Sequence, residues 1–276
     1  MIMKWMTNSR KLLFAGAALA ASFGLVLSAQ AQTCTTTNWL GGQTGSPTVG
    51  KQDGDNRRYG GPCGMRVALN GTAHYVTDDT PNAEETYIAR FYVFLENPGT
   101  GPINLFAADD GAGNDVIEVV FENGAITLYV EDQSGTPHAI PAGGVAVGNG
   151  WHSVEFAWEQ LGSAQISLNV DGAGEQTATV DTTGITIANA HLGNLNGAAG
   201  GGLVDFDDFD SRRSSKPGRL TVGDANADAA MGVGDLVAIL SEMNEQSFAA
   251  GQPDCNEDGN VAVGDLVCVL DILNSL

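Results

Sequence analysis

The central part of the chain alternates apolar and polar residues with a period of two. Val154, Phe156 and Trp158 occupy every second position of one run, and residues 166–170 repeat the pattern. Alternation of this kind is typical of a β-strand that buries one face. Residues 32–213 contain about ten such runs. The pattern predicts an all-β segment made of short strands.

Turn signals separate these predicted strands. Asn123-Gly124 lies between two of them, and Asp171-Gly172 follows another. Both dipeptides accept the positive φ that tight antiparallel hairpins require. Since no helical pattern intervenes, we expect a mainly β fold in which antiparallel strands form a sandwich.

A different period governs the last fifty or so residues. Apolar residues recur there at i, i+4 and i+7, which is the spacing of a helix face, and they do so twice. Helices this short need a partner to be stable in water, so we expect the two stripes to pack face to face. The predicted stripes are Leu236, Leu240 and Met243 in the first helix and Leu266, Leu270 and Leu273 in the second.

An acidic pattern precedes each predicted helix. Residues 224–244 and 254–274 align without a gap and are identical at 10 of 21 positions. Side-chain oxygens fall at positions 1, 3, 5 and 12 of each copy, which suits a loop wrapped around a hard cation such as Ca²⁺. A solvated turn is the alternative for one copy, but the duplication favours metal loops. The residues are Asp224, Asn226, Asp228 and Asp235, and Asp254, Asn256, Asp258 and Asp265.

Residues 219–276 resemble a type I dockerin, a duplicated calcium-loop module of secreted polysaccharide-degrading complexes. The resemblance implies two EF-hand-like loops that hold about two Ca²⁺ ions through the residues above, with the carbonyls of Ala230 and Asn260 as further ligands. It also implies a cohesin-like protein as the partner. The family's partner-binding positions 10 and 11, which often carry hydroxyl groups, are here Val233, Gly234, Val263 and Gly264.

Two departures from the dockerin pattern affect the loops. Position 6, where glycine is expected, is Gly259 in the second loop but Ala229 in the first. Position 9 is Gly232 in the first loop and Ala262 in the second, so a water molecule would have to supply that ligand. We therefore expect the first site to bind calcium more weakly than the second.

The first 31 residues predict export. Lys4, Arg10 and Lys11 precede an apolar run over residues 12–27, and a small-x-small cleavage signal ends at residue 31. This is the organisation of a signal peptide that is removed after export. A membrane anchor is the alternative, but the run is shorter than a usual spanning helix. We expect a protein that is secreted or at the cell surface, with no membrane insertion after cleavage.

The mature chain is strongly acidic. The whole sequence has 12 Lys and Arg against 33 Asp and Glu, a net charge of −21. Removal of residues 1–31 takes away three basic and no acidic residues, which leaves nine against 33 and a net charge of −24. Such a surface repels nucleic acid and anionic lipid, so neither is an expected partner.

Four cysteines follow the export signal. Cys255 and Cys268 appear together in the second repeat, where the first repeat has alanines, so we expect them to bond to each other. Cys34 and Cys63 would then form the second disulfide. Disulfides suit an oxidising compartment, and free thiols are the alternative.

The order of strands and core aromatics over residues 65–212 resembles a concanavalin A-like or laminin G-like jelly roll. That family contains lectin-like binding domains, adhesion modules, glycoside hydrolases and polysaccharide lyases, and the fold does not choose among them. A basic stretch after the sandwich is interpreted as a solvated hinge, with a docking patch as the alternative. The expected domains are a signal peptide at 1–31, a sandwich at 32–213, a linker at 214–219 and a dockerin-like domain at 220–276.

The sandwich offers few candidate ligand-binding groups. Glycosidase carboxylates must lie close together, whereas Glu118 and Glu122 are four residues apart on one strand and are interpreted as a solvated face. Asp205 and Asp207 are interpreted as surface residues. A third calcium site, held by Asp109, Asp110 and Asp115 in a glycine-rich loop, is an alternative to this interpretation. The candidate sugar-stacking rings are Trp39, Trp151 and Tyr129, while Trp158 is assigned to the core.

These features favour an exported binding protein without catalytic residues. Its sandwich would bind a glycan or an extracellular protein, and its calcium-dependent module would attach it to a partner. A polysaccharide-degrading enzyme of the same fold, tethered through its dockerin, is one alternative. An adhesion or structural protein is the other.

Overall fold

The computed structural model describes residues 34–50 and 56–276 of the chain. Within them lie two short helices, α1 (Val233–Met243) and α2 (Val263–Ser275), and fourteen strands. The strands are β1 (Gly42–Thr44), β2 (Thr48–Gly50), β3 (Gly64–Ala68), β4 (His74–Asp78), β5 (Thr86–Leu95), β6 (Ile103–Asp109), β7 (Asp115–Glu122), β8 (Ala125–Glu131), β9 (Pro137–Ala146), β10 (Gly150–Glu159), β11 (Ala164–Val170), β12 (Gln176–Val180), β13 (Asn189–Asn194) and β14 (Leu203–Arg212).

The strands form two seven-stranded antiparallel sheets. Sheet A has the order β1-β4-β13-β6-β7-β8-β9, and sheet B has the order β12-β11-β10-β5-β14-β3-β2. The inward residues of both sheets belong to one hydrophobic core. The expected mainly β fold, with two antiparallel sheets in a sandwich, is therefore confirmed.

The core is built from the faces that the alternation predicted. Val154, Phe156 and Trp158 of β10 are all buried, which confirms the assignment of Trp158. Phe106 of sheet A packs on Phe156 and Phe91 of sheet B, with ring centroids 5.0 and 6.1 Å apart. Because burial of one such ring is worth about 1.5–3 kcal/mol, these aromatics hold the sheets together.

Both predicted turns are present. Asn123 and Gly124 have φ values of 51° and 78° between β7 and β8, and Asp171 and Gly172 have 56° and 70° after β11. Asparagine, aspartate and glycine tolerate this left-handed backbone better than other residues. The local sequence therefore determines where these strands reverse.

The two helices pack together, but the buried stripe differs from the predicted one. Ile239 and Val269 are fully buried at the centre, whereas Leu240 and Leu270 are 44% and 46% exposed. The prediction that Leu240 and Leu270 face inward is therefore wrong. Because each buried residue is followed by another apolar residue, the sequence does not determine which side of the helix faces inward. The residues that face inward are spaced i, i+3 and i+7. The other inner residues are Leu236, Met243, Leu266 and Leu273.

Both expected disulfides are formed. Cys34 is bonded to Cys63, and Cys255 is bonded to Cys268, with Cα atoms 5.5 and 5.9 Å apart. The first ties the start of the described chain to the residue before β3. The second joins the loop before α2 to that helix, as the joint occurrence of the two cysteines predicted.

The outer face of sheet B is covered by residues 56–61. Asp205 is fully buried and accepts a hydrogen bond from Arg66 Nε at 2.6 Å. Asp207 accepts hydrogen bonds from the backbone N–H groups of residues 59 and 60 at 2.6 and 3.0 Å. The interpretation of both aspartates as surface residues is wrong, because they point away from the core into a covering segment.

The linker lies on the same face. Gly218 N donates to Glu155 Oε2 at 2.6 Å, and its carbonyl accepts a bond from Arg90 Nη1 at 2.8 Å. Lys216 pairs with Glu175 of the loop before β12. The C-terminal end of this stretch is therefore held against the sandwich, whereas residues 214–216 are exposed, as the interpretation of a solvated hinge predicts.

The described residues belong to one compact unit that includes the sandwich and both helices. No helix among them combines the length and apolar character needed to cross a bilayer. The predicted signal peptide lies outside the described residues and stays a prediction.

Candidate functional site

The two acidic loops, loop 1 (residues 224–235) and loop 2 (residues 254–265), have matching hydrogen bonds. Asp224 accepts bonds from the N–H groups of residues 228 and 229, at 3.1 and 2.9 Å. Asp254 accepts the equivalent bonds from residues 258 and 259, at 3.1 and 2.7 Å. The first aspartate of each loop therefore curls the backbone around its own carboxylate.

The aspartate at position 12 closes each loop onto its helix. Asp235 accepts bonds from Asn226 N and Gly232 N at 3.2 and 2.8 Å. Asp265 accepts the equivalent bonds from Asn256 N and Ala262 N, at 3.1 and 2.7 Å. Because this aspartate lies in the first turn of a helix, it also satisfies a free N–H group at the helix start.

Positions 3 and 5 bring further oxygens to each loop. Asn226 Nδ2 donates to Asp228 Oδ2 at 3.0 Å, and Asn256 Nδ2 donates to Asp258 Oδ2 at 3.1 Å. Residues 230 and 260, the candidate carbonyl ligands, donate their N–H groups to Oδ1 of the same aspartates at 2.9 Å. The predicted ligand residues are thus gathered in two equivalent loops.

The electrostatics of the loops fit a hard cation. Asp235, Asp254 and Asp265 are buried, and none of the ion pairs between described residues includes them. Burial raises the pKa of Asp254 to about 7 and also raises the pKa of Asp265. Buried carboxylates without a cationic side chain suit a bound metal. No described group of three or more His, Cys, Asp or Glu side chains is close enough to hold a metal with those residue types alone.

Loop 2 packs on the sandwich, whereas the turn of loop 1 is exposed. Gly259 is buried against Phe94, and a Cβ atom added to it would lie 2.4 Å from that ring. Ala229, the equivalent residue of loop 1, is exposed and has a φ of 63°. Glycine at position 259 therefore allows both the left-handed backbone of the turn and the close contact with the sandwich.

An aromatic patch on sheet B receives loop 2; it consists of Tyr59, Tyr92, Phe94 and Trp151. Tyr59 stacks on Tyr92 with centroids 3.6 Å apart, and Trp151 lies edge-on to Tyr59 at 5.5 Å. Trp151 is almost fully buried. Its prediction as an exposed sugar-stacking ring is therefore wrong.

Glu257, at position 4 of loop 2, is the main polar contact with this patch. Tyr59 Oη donates to its carboxylate at 2.6 Å, and Trp151 N donates to its carbonyl at 3.2 Å. Arg219 forms an ion pair with the same carboxylate. Sequence reasoning missed this contact, because no local signal relates residue 59 to residue 257.

A second contact joins the sandwich to α1. Arg58 forms a buried ion pair with Glu242, whose other oxygen accepts a bond from Ala249 N at 2.8 Å. Gly61 N donates to Gly251 O at 3.1 Å. Residues 56–61 therefore bind both the sandwich strand β14 and the C-terminal module.

The predicted partner-binding residues lie at equivalent exposed places. Val233 and Val263 are 71% and 63% exposed at the starts of the two helices. A Cβ atom on Gly234 or Gly264 would lie 2.5 or 2.9 Å from the amide nitrogen of the loop's Asn226 or Asn256, so these glycines make room for the loop. The valines continue into a set of exposed apolar residues, Val237, Leu240, Val267 and Leu270.

The remaining candidates lie on or near the sandwich. Trp39 packs against Phe209 with centroids 4.9 Å apart. Tyr129 is half-buried on the outer face of sheet A, directly across from Glu118. Glu122 is exposed, whereas Glu118 is half-buried. Of the two glutamates that were predicted to lie on a solvated face, only Glu122 is therefore fully exposed.

Glu118 and Asp109 are held on the outer face of sheet A. Glu118 accepts a hydrogen bond from Asn104 Nδ2. Burial, and next the charge of Asp115, raise its pKa. Asp109 is bound by His191 Nε2 at 2.7 Å, and hydrogen bonds from neighbouring groups lower its pKa although burial opposes them. Burial raises the pKa of Asp115, so Asp109 and Asp115, two of the predicted third-site ligands, have pKa values shifted in opposite directions.

Comparison with known proteins gives only distant similarities. No protein-family model and no curated protein matches the chain. A cellulose-induced protein is 14% identical, with a TM-score of 0.47 over 64% of this chain and 89% of that one. The binding domain of botulinum neurotoxin serotype D is 14% identical, with a TM-score of 0.45 over 71% of this chain and 47% of that one. The receptor-binding domain of type G is 13% identical, with a TM-score of 0.43 over 64% and 44%. The chain spans less than half of these neurotoxin domains.

Proposed function

We propose that this protein is an exported, non-catalytic binding protein whose C-terminal module is a calcium-dependent, dockerin-like attachment device. Its jelly-roll sandwich binds a glycan or another extracellular component. The observation that carries the proposal is the equivalence of the two loops. They share the spacing of their acidic residues and their hydrogen bonds, and each has a buried carboxylate at position 12 that forms no ion pair with a cationic side chain. A bound Ca²⁺ ion neutralises those carboxylates and fixes the loop at the start of each helix.

The attachment surface of the module is the apolar set on its two helices. Val233, Val237 and Leu240 of α1 recur as Val263, Val267 and Leu270 of α2, thirty positions later, and all six are exposed. Exposed apolar patches of this kind mark protein-interaction sites. The partner is a cohesin-like protein or another extracellular protein with an apolar surface, because valines replace the hydroxyl residues of the dockerin family.

Calcium titration of the full mature chain tests this function. We expect calorimetry to show about two bound ions and calcium to raise the melting temperature. Chelator should abolish both the binding and this increase. Substitution of Asp254 and Asp258 by alanine should remove the tighter site, and substitution of Asp224 and Asp228 the weaker one. Unchanged metal binding in both double variants would refute the assignment.

A polysaccharide-degrading enzyme is the second candidate, favoured by Glu118. Its pKa is raised, and the Asp115 carboxylate is near enough to contribute to that shift. A carboxyl group with a raised pKa beside a second carboxylate suits acid catalysis of glycoside hydrolysis. Release of reducing sugar from neutral polysaccharides, abolished by Glu118→Gln, would establish the enzyme. Absence of release from substrates that bind would exclude it for those substrates.

A further inference from the structure

The aromatic patch lies on the outer face of sheet B, yet its rings are hidden from solvent. Tyr92 and Phe94 of β5 and Trp151 of β10 point away from the core, and they are 0%, 3% and 3% exposed. The outer face of an antiparallel sheet can be in contact with water. The burial of these three rings therefore depends on the segments that lie over them.

The turn of loop 2 (residues 256–260) covers one end of the patch. Phe94 and Trp151 are edge-to-face neighbours there, with ring centroids 5.3 Å apart. Gly259 is buried, and a Cβ atom added to it would collide with the Phe94 ring. The carbonyl of Glu257 accepts a hydrogen bond from Trp151 N at 3.2 Å. Both rings are thus sealed by residues of this turn.

The other end of the patch is covered by different residues. Tyr59 stacks on Tyr92, and Tyr59 N donates to Asp207 Oδ2 of β14 at 2.6 Å. Leu220 N donates to Tyr92 Oη at 2.8 Å. Since none of these groups belongs to loop 2, this end of the patch can stay covered when loop 2 moves.

The C-terminal module also has an attachment to the sandwich that does not involve loop 2. Arg58 forms a buried ion pair with Glu242 of α1. Gly61 N donates to Gly251 O at 3.1 Å. Loop 2 can therefore leave the patch while the module remains attached through α1 and the residues that follow it.

The residues of the turn alternate between the predicted metal site and the sandwich. Asn256, Asp258 and Asn260 hold the predicted ligand positions 3, 5 and 7, and all three are exposed. Glu257 and Gly259 lie between them and are less exposed, because they contact the aromatic patch. One backbone conformation therefore serves both the metal loop and the cover.

This conformation needs a cation to be stable. Glu257 has a φ of 59°, which is unfavourable for an L-residue. Asp254 and Asp265 are buried and hold the turn through its backbone N–H groups, and both are close enough to Asp258 for their charges to repel. Repulsion between partly buried carboxylates is strong, and a bound cation offsets it.

We propose that loop 2 is a calcium-operated cover of sheet B. With the cation bound, the turn keeps the shape that seals Phe94 and Trp151. Without it, the turn relaxes and opens both rings to solvent, while Tyr59 and Tyr92 stay stacked. The inference rests on the proposed function, in which loop 2 binds Ca²⁺, and it adds that this ion controls which surface the sandwich presents.

Acrylamide quenching of Trp151 fluorescence in the full mature chain tests the cover. Trp39→Phe removes the half-buried tryptophan, and Trp158, which is 1% exposed in the core, should stay shielded. We expect chelator to raise the quenching constant several-fold and calcium to restore the lower value. Hydrogen exchange at the amide of Trp151, which is bonded to loop 2, should accelerate by about tenfold or more in chelator.

The two loops provide a matched pair of double variants. Asp254→Ala with Asp258→Ala should leave the rings open even in excess calcium. Asp224→Ala with Asp228→Ala, the equivalent change in loop 1, should leave the cover closed. Glu257→Ala changes a contact of the turn that is not a predicted metal ligand, and it should open the rings partly in saturating calcium. Circular dichroism shows whether each variant keeps its fold.

Calorimetry on the same samples separates this inference from the proposed function. If loop 2 binds no calcium, the proposed function fails and the cover fails with it. If calcium binds but the quenching of Trp151 does not change, only the cover is overturned. Equal effects of the two double variants would also overturn it. So would a rise in the quenching of Trp158, measured after Trp151→Phe, because that would show unfolding of the whole sandwich.

Discussion

At the scale of single residues, position 6 distinguishes the two loops. Ala229 and Gly259 both have a positive φ, of 63° and 90°. A left-handed conformation costs an L-residue about 1–2 kcal/mol, whereas glycine adopts it without that cost. The alanine thus places strain in the loop that is exposed to solvent.

Ala229→Gly should relieve this strain. We expect the free energy of unfolding of the module to rise by about 0.5–1 kcal/mol, after the entropic cost of glycine, and the calcium affinity of loop 1 to increase. Denaturant titration and calorimetry measure both. The reciprocal change, Gly259→Ala, should weaken loop 2, because its Cβ would collide with Phe94. Equal effects of the two substitutions would contradict the strain argument.

A histidine on β10 makes the stability of the sandwich depend on pH. His152 Nδ1 is 2.7 Å from Asp171 Oδ2, and Nε2 is 3.1 Å from Gly148 O. Burial lowers the pKa of His152, but the hydrogen bond and charge of Asp171 outweigh it and the net pKa is raised. The folded state therefore holds this proton more tightly than the unfolded chain does.

The stabilisation from this pair should be complete below about pH 6.5, the ordinary pKa of histidine, and should be lost as pH rises through the higher folded value. Asp171→Asn should lower the pKa of His152 and flatten this dependence. Imidazole titration by NMR, with His152→Gln to assign the signal, measures it. A pKa that does not fall in Asp171→Asn would show that Asp171 is not the cause.

At the scale of elements, the two acidic loops determine the rotation of the helices. Asp235 and Asp265 lie in the first turn and must point back into their loops. This direction places Ile239 and Val269 inside the module and leaves Leu240 and Leu270 outside. The apolar pattern alone allowed either rotation.

Ile239→Ala and Leu240→Ala form a matched pair for this rotation. Ile239→Ala removes a buried side chain and should destabilise the module by about 2–4 kcal/mol. Leu240→Ala should change stability by about 0.5 kcal/mol or less, while weakening any attachment through the apolar surface. Thermal unfolding compares them. Equal destabilisation by both would mean that the helix is rotated differently.

At the scale of the whole molecule, loop 2 connects the C-terminal module to the sandwich. Its backbone and Glu257 contact Tyr59, Phe94 and Trp151, which belong to or cover sheet B. At the positions equivalent to Glu257 and Gly259, loop 1 has Ala227 and Ala229, which are both exposed. Order in loop 2 is therefore linked to its docking on the aromatic patch.

Tyr59→Phe should weaken this link. Loss of the hydrogen bond to a charged group should cost about 1–3 kcal/mol, lower the calcium affinity of one site, and alter the fluorescence of Trp151 on calcium addition. Trp151→Phe identifies the emitting residue. As a control, Asp224→Asn in loop 1 should leave the fluorescence change intact. Unaltered affinity and emission in Tyr59→Phe would show that the two parts act independently.

Features that depend on nearby residues could be predicted from the amino-acid sequence. Alternation gave the inward face of β10, Asn123-Gly124 and Asp171-Gly172 gave the reversals, and the joint occurrence of Cys255 and Cys268 gave their bond. The spacing of the duplicated aspartates also gave the two loops, because the carboxylate at position 1 bonds the backbone only a few residues away.

Which outward side chains remain exposed depends on contacts between distant parts of the chain. Asp205 and Trp151 point away from the core as the alternation indicates, yet residues 56–61 and loop 2 bury them. The register of sheet A likewise places Ala107 directly between His191 and Glu118. Such contacts join residues far apart in the chain, and a local pattern carries no information about which distant segment will cover a face.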